Sequence, residues 1–444
     1  METYFLMGKE DKKSRLKSKN FSPYNSSTMK DKRVIAVVDL KAFYSFVECL
    51  DRGLDPFNTP LVVADKDRGK NTIVLSVTPY LKSKGIPSRL RIKELPKGID
   101  YIYAVPRMER YIEMSTNVMS TLLDFVSEED LHIYSIDEAF IDITSYLNYY
   151  KKTPEQLVKY ILDTIKDRLG LCATAGIGDN FFLAKVALDI YAKSAPNGIA
   201  TIKQEDVKDK VWPITPLHKV WGIGHNLEAR LNAFGIFTMK DLALSNVEFI
   251  KKHFGIIGEQ MVNHANGIDD SDIHEIYIPE SRSLSIGQAL FKDYPCDEGR
   301  LIIKEMCDDV TMRMRNDNLT AGSISLFIGY SKSGGFARES KLFVQTNSTK
   351  AIIKGVLDLY DKYIDKKQTI RRISICLGML KTNDDSEQLT LFENHIENEK
   401  NHSIDRALDF IKKIFGDNSV LRLSSLLPYS TAIERHMQIG GHKR

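Results

Sequence analysis

Val34-Ile35-Ala36-Val37-Val38 is an unbroken apolar run of strand length that ends on a carboxylate, Asp39. A run without polar alternation suits a strand covered on both faces, so Asp39 is delivered to the edge of a core. A second strand-like segment, 132–143, is interrupted by the acidic pair Asp137-Glu138. Adjacent side chains on a regular strand point to opposite faces, so both acids can serve one site only if the chain turns or bulges there. Carboxylates at the end of a buried strand are costly unless neutralised. Hard divalent cations with oxygen ligands do this, and magnesium prefers a few carboxylates plus substrate phosphates. Two such ions about 3.5–4 Å apart can stabilise both the attacking and the leaving oxygen of an in-line phosphoryl displacement. Taken singly, Asp39 also reads as a helix cap and Asp137-Glu138 as a hairpin turn.

The 444 residues exceed what one core organises and suffice for three or four domains. Net charge is only +3, so a nucleic-acid surface would need its cations gathered on one face. The five cysteines are scattered and form no C-x-x-C pair, which favours a reducing compartment over a disulfide frame or a cysteine zinc site. No segment reaches the ~20 apolar residues of a membrane span, and the N-terminus lacks a secretory pattern. The expectation is a soluble, cytoplasmic monomer.

Residues 1–32 read as a flexible basic extension. From 34 to about 195, strands (34–38, 61–64, 72–75, 132–143, 171–177) mix with helices (from Phe43, 118–125, 154–169, 180–193), an α+β layer. Residues 213–273 carry only helical patterns with glycine-punctuated turns, and 276–281 reads as a linker. Residues 282–381 follow a β-α-β-β-α-β order. Beyond 382 the chain is polar and acidic until Ile404, Leu408, Ile411 and Phe415 form an apolar helical stripe.

Val37-Val38-Asp39-Leu40-Lys41-Ala42-Phe43-Tyr44-Ser45-Phe46-Val47-Glu48-Cys49 resembles the first motif of the Y-family DNA polymerases, and Ser135-Ile136-Asp137-Glu138-Ala139-Phe140-Ile141-Asp142 their second. The resemblance covers roughly 33–392. Lys41 and Glu48-Cys49 resemble the bacterial SOS-induced subgroup, the polymerase V catalytic subunit and its Gram-positive, plasmid and phage relatives. It implies a multidomain right-hand polymerase. The palm would be 33–52 and 99–191, with small fingers 53–98 inserted and a helical thumb 192–275. The linker 276–281, a little finger 282–381 and a tail 382–444 would follow. Asp39, Asp137, Glu138 and the Leu40 carbonyl would hold two Mg2+ ions. Tyr44 would be the steric gate against a ribose 2′-hydroxyl; Phe43, Lys82 and Lys185 would meet the triphosphate of an incoming dNTP. The fingers stretch has Pro79 where many members carry a tyrosine, and Lys82 where they carry arginine, so a point charge replaces a bidentate fork. Gly176-Ile177-Gly178 before a helix is by itself a weak phosphate signal.

Val220-Trp221-Gly222-Ile223-Gly224 between helical stretches resembles a helix-hairpin-helix, whose Gly222 and Gly224 would let backbone N–H groups approach a phosphate of primer-template DNA. Arg282, Lys292, Lys332, Arg338, Lys341, Arg371, Arg372 and Lys381 lie on or beside the strands of 282–381, suited to sequence-blind phosphate contacts. Gln388-Leu389-Thr390-Leu391-Phe392 resembles the bacterial sliding-clamp-binding pentapeptide. SOS accessory subunits or a recombinase stand as further candidate partners. The predicted function is low-fidelity translesion synthesis. Two alternatives remain at this level: a palm-type nucleotidyl cyclase and a non-catalytic DNA-binding relative.

Overall fold

A computed structural model describes residues 33–275, 279, 281–383 and 395–444, which fall into two compact units divided near 277. The first unit is built on a five-stranded sheet. Its strands are β1 (Ile35–Leu40), β5 (Leu131–Ile133), β6 (Glu138–Asp142), β7 (Ala173–Gly178) and β8 (Ile199–Ile202), in the order β5-β6-β1-β7-β8. β1 is central, antiparallel to both β6 and β7, and buried on both faces, as its unbroken apolar run demands. Ala36, Val38 and Leu40 pack into the larger core with the helices Phe43–Asp51, Met108–Leu123 and Pro154–Leu169. Ile35 and Val37 face the other way, onto Phe140, Phe181 and Leu188.

β2 (Leu61–Val63), β3 (Ser76–Val77) and β4 (Ile102–Ala104) form a separate small sheet, order β3-β2-β4, which carries the short helix Pro79–Ser83. The strand expected at 72–75 is not there. Ile73 makes an isolated bridge to Arg91, Val74 exchanges backbone bonds with Leu90 and Arg89, Leu75 bonds Val63, and regular pairing begins only at Ser76. By pairing, the small sheet extends beyond 98 to Ala104, and the large sheet beyond 191 to Ile202. The helix expected over 118–125 begins ten residues earlier, at Met108. That expected over 180–193 is regular only over Phe181–Val186 and then widens through Ala187–Tyr191.

Gly176 and Gly178 are explained by packing. A Cβ on Gly176 would collide with the Ala184 carbonyl oxygen and the Leu188 amide nitrogen, and one on Gly178 with the Ala184 amide. They let the helix lie directly on β7, so close packing alone accounts for this glycine pair. Gly176→Ala therefore lowers stability by about 1–3 kcal/mol or more through forced backbone displacement, measurable as a lower urea midpoint.

Residues from Leu217 to Ala265 are helical: a turn at Leu217–Lys219, then His225–Asn232, Met239–Ala243, Val247–Phe254 and Ile256–Ala265. The second unit contains β9 (Leu284–Pro295), β10 (Leu319–Tyr330), β11 (Gly335–Thr346) and β12 (Thr369–Gly378), in the order β11-β10-β12-β9. Helices Cys296–Asn316 and Thr349–Tyr363 cover one face. This is the β-α-β-β-α-β order read from the sequence. The opposite face, towards solvent, carries the alternating exposed residues of β11.

The helix His395–Phe415 forms, with Leu408 and Ile411 of its apolar stripe half-buried. Ile404 and Phe415 remain exposed, while Asp405 is buried and bonds the Thr349 amide at 3.0 Å. Arg315 makes a two-point ion pair with Asp409, at 2.6 and 2.8 Å. Further along, Arg422 grips Asp308, and Arg435 and His436 grip Asp309. Charged residues of the helix Cys296–Asn316 thus select the polar face of this segment. The basic extension 1–32 and the pentapeptide Gln388, Leu389, Leu391 and Phe392 lie outside the described residues.

Candidate active site

Three carboxylates separated by about a hundred residues converge at one end of the large sheet. Asp39 and Glu138 are direct partners in the β1–β6 register, so their side chains rise from the same face. Asp137 joins them because the chain turns sharply before β6. The Tyr134 and Ser135 amides both bond the Glu138 carbonyl at 3.0 Å, and the Asp137 carbonyl accepts the Leu40 amide at 2.9 Å. The acidic pair therefore sits where a hairpin ends, which resolves the opposite-face problem of a regular strand. Ser135 Oγ donates to Asp137 Oδ1 at 2.8 Å and fixes that carboxylate.

Cations interlock with the acids. Lys185, almost wholly buried, lies 2.6 Å from Glu138 Oε1 and 3.1 Å from Asp189. Lys193 lies 3.0 Å from Asp39 and 2.7 Å from Asp189. Burial pushes the Asp39 and Glu138 carboxyls above their ordinary range, with Lys193 and Lys185 respectively opposing the rise. Burial works against the charge of both lysines, but their carboxylate partners outweigh it and hold both ammonium groups above the usual lysine range. Lys82, on the short helix of the small sheet, keeps solvent contact. The protein crowded around it still lowers its ammonium, while the Asp39 and Asp137 carboxylates pull the other way.

Asp189 and Lys193 join the acid cluster without having been expected from the sequence. The only local signal is the spacing of Lys185, Asp189 and Lys193 at successive intervals of four, which on a helix makes one face. Even with Lys82 counted, Asp39, Asp137, Glu138 and Asp189 leave negative charge in surplus. Glu138 Oε1 is buried without an aligned hydrogen-bond donor, since Lys185 meets it at ion-pair distance but not along a hydrogen-bond direction. Surplus charge and an all-oxygen donor set together fit hard divalent cations.

The chain leaves β1 through Ala42, whose φ of 47° is left-handed, and starts the helix Phe43–Asp51 with no side-chain cap. An uncapped helix N-terminus beside the acids offers backbone N–H groups to an anion. The Phe43 side chain is itself core. Tyr44 is half-buried. Its ring lies 4.7 Å from that of Tyr111, and burial, reinforced by the Asp137 charge, raises its phenol. Behind it, fully buried Glu48 receives Tyr111 Oη at 2.7 Å and Arg107 Nε at 2.9 Å, and pairs with Arg52. That network fixes the helix carrying Tyr44.

Gly222, with φ of 87°, and Gly224 stand in open space at the hairpin before His225–Asn232, where a backbone can approach a phosphate. Trp221, next to Gly222, donates its indole N–H to Tyr134 Oη at 3.0 Å, and the Tyr134 ring lies 5.9 Å from the Lys185 ammonium, so the hairpin packs against the turn that carries the acids. In the second unit, Arg338, Lys341, Arg371 and Arg372 are exposed on or beside its sheet. No helix among the described residues is long and apolar enough to cross a membrane.

Comparisons with known proteins match this arrangement. Residues 38–189 match the impB/mucB/samB family, 204–236 the helix-hairpin-helix motif of that family, and 281–391 its C-terminal domain. The UV-damage repair protein UvrX of Bacillus subtilis is 37% identical over 414 residues, covering 92% of this chain and 97% of that protein. DNA polymerase IV 2 of the same organism is 33% identical over 422 residues, covering 93% of this chain and all of its own length. Among solved structures, a Y-family DNA polymerase chimera superposes with a TM-score of 0.63 over 79% of this chain and its own full length. At 22% identity, that likeness speaks for the fold.

Proposed function

This chain belongs to the impB/mucB/samB family of Y-family DNA polymerases, and from that premise we propose how its residues divide the work of lesion bypass. It is a DNA-directed DNA polymerase serving translesion synthesis in DNA repair. The observation that carries the residue assignment is the convergence of Asp39, Asp137 and Glu138 beside an uncapped helix N-terminus and three lysines.

Asp39, Asp137, Glu138 and the Leu40 carbonyl would hold two divalent ions, magnesium by their hard all-oxygen character. Such ions lower the pKa of a primer 3′-hydroxyl and neutralise charge on the triphosphate. The chain's own residues do the rest. Lys185 and Lys82 give point charges to the triphosphate, and the Phe43 amide adds a dipole. Lys193, held in reserve by Asp189, balances Asp39 when no ion is bound. The hairpin amides at Gly222 and Gly224 and the cations of the second unit hold DNA phosphates without reading sequence. The small sheet of Leu61–Val63, Ser76–Val77 and Ile102–Ala104 gives the nascent base pair few walls, which supports low fidelity and tolerance of damaged templates.

Primer extension past an abasic site tests this reading: the native chain inserts and extends, and loss of the acids stops both. A chain that binds primer-template but never extends it would instead be a non-catalytic relative, and cyclic nucleotide as product would mark a cyclase.

Tyr44 is the sugar gate in this reading, braced by Tyr111 and the helix that Glu48 anchors. Tyr44→Ala raises ribonucleotide incorporation relative to the matching deoxynucleotide on the order of 100-fold, the scale of discrimination that one filled pocket supplies. Competing single-nucleotide kinetics measure it, and an unchanged ratio removes Tyr44 from the role.

Gln388, Leu389, Leu391 and Phe392 follow the short strand Lys381–Thr382 in a polar stretch. Their pattern suits a sliding clamp's groove. Leu391→Ala with Phe392→Ala abolishes clamp stimulation and leaves clamp-free extension intact; equal loss in both assays refutes this. Cytoplasmic location and help from SOS accessory subunits or a recombinase are consistent with this reading and rest on it.

A further inference from the structure

His218, His225 and Glu228 form a second cluster of ligating groups, in the hairpin region and separate from the carboxylate site. One ligand atom from each lies within 4.8 Å of the other two. His218 Nδ1 is 2.6 Å from Glu228 Oε2, His225 Nδ1 is 3.7 Å from the same oxygen, and the two imidazole rings are 4.2 Å apart. The other carboxylate oxygen, Oε1, accepts the His218 amide at 3.2 Å, which fixes the orientation of Glu228. The His225 side chain is 81% exposed, yet its ring turns in towards the pair. We propose that His218, His225 and Glu228 bind a zinc-like divalent cation that staples the thumb hairpin.

The chemistry selects the ion. Two imidazole nitrogens and one carboxylate oxygen are a borderline donor set, suited to zinc and poorly suited to magnesium. Tetrahedral Zn–N and Zn–O bonds near 2.0–2.2 Å put ligand atoms about 3.4 Å apart. The His218–Glu228 contact must therefore open by less than about 1 Å, and the ion takes the place of the proton they share. That proton leaves to solvent on binding. Water fills the fourth position.

The placement gives the ion a role. His218 lies in the turn before Gly222-Ile223-Gly224, and His225 and Glu228 lie in the helix after it. An ion joining them closes the loop from both sides and cancels the negative charge of Glu228 beside the hairpin. Tighter, salt-sensitive DNA binding follows. The ion site stands on its own geometry, whereas the effect on DNA rests on the phosphate-binding reading of Gly222 and Gly224.

The test is zinc titration of the full native chain by calorimetry, in excess magnesium to occupy the carboxylate cluster. One equivalent of Zn2+ should bind, and His225→Ala should weaken it at least tenfold. Loss of a supporting partner alone costs metal sites that much, and His225 is a ligand itself. His225 is exposed, so this variant keeps its fold; His218→Ala should weaken zinc likewise. Cobalt titration should give visible absorption bands of tetrahedral character that both variants lose. Absent zinc binding, or equal affinity in native and His225→Ala chains, overturns the site. Zinc bound by all three residues with DNA affinity unmoved upholds the site and counts against the phosphate role of the hairpin.

Discussion

Asp137→Asn combined with Glu138→Gln lowers kcat/KM for primer extension by at least about 1000-fold while leaving the fold intact. The magnitude follows from what the acids hold: charge stabilisation by bound divalent ions is worth several kcal/mol, and each 1.36 kcal/mol is tenfold in rate. The stability half follows from the structure. Burial already pushes the Asp39 and Glu138 carboxyls upward, so without ions their mutual repulsion works against folding. Replacing two of the charges by amides of similar size relieves that repulsion, and Lys185 keeps Asp189 as a partner. In magnesium-free buffer the double variant should melt no lower than the native chain. Single-turnover extension opposite an abasic site and thermal melting check the two halves separately. Extension within tenfold of native removes these acids from catalysis. Lost extension with a collapsed Tm shows a structural defect instead.

The metal acids were legible in the sequence because each is announced by a local conflict. Asp39 terminates a run that must be buried on both faces, and Asp137-Glu138 breaks a segment that would otherwise be continuous strand. The turn at 134–137 is what that break becomes in three dimensions. Lys193 and Asp189 were not legible, because their meaning depends on the widened helical turns at Ala187–Tyr191 that bring Lys193 back to Asp39. Periodicity also misled at the C-terminus. The stripe Ile404, Leu408, Ile411 and Phe415 obeys helical spacing, but only Leu408 and Ile411 are half-buried; the partner surface offers Arg315, and the adjoining flank with Asp405 and Asp409 docks there. The amphipathic pattern shows that a helix forms; charge on the receiving surface decides which face it buries. Gly176 and Gly178 make the same point from the other side, since a glycine spacing shared by phosphate loops serves here to seat a helix on β7.

Lys185→Met gives the second large effect, with opposite signs in two measurements. Methionine keeps the apolar stem in its buried channel and removes only the charge. The nucleotide loses a triphosphate contact, so KM for the incoming dNTP rises on the order of 100-fold, the scale of a charge-assisted bond of 1.5–3 kcal/mol. The fold loses a buried partner of Glu138, and breaking such a pair costs about 3–5 kcal/mol when the other charge stays behind. That cost is recoverable. In the native chain the Lys185 ammonium occupies the flank of Glu138 Oε1 that a divalent ion also seeks. Without it, the carboxylate surplus grows by one charge and ion binding stabilises the folded state more strongly. Added magnesium should therefore raise the Tm of Lys185→Met more than that of the native chain, while nucleotide affinity stays poor. A merely structural lysine predicts a lowered Tm that magnesium does not restore selectively, with KM unchanged once the chain is folded. That outcome would take Lys185 out of the nucleotide site and leave the triphosphate to Lys82 and the helix N-terminus at Phe43.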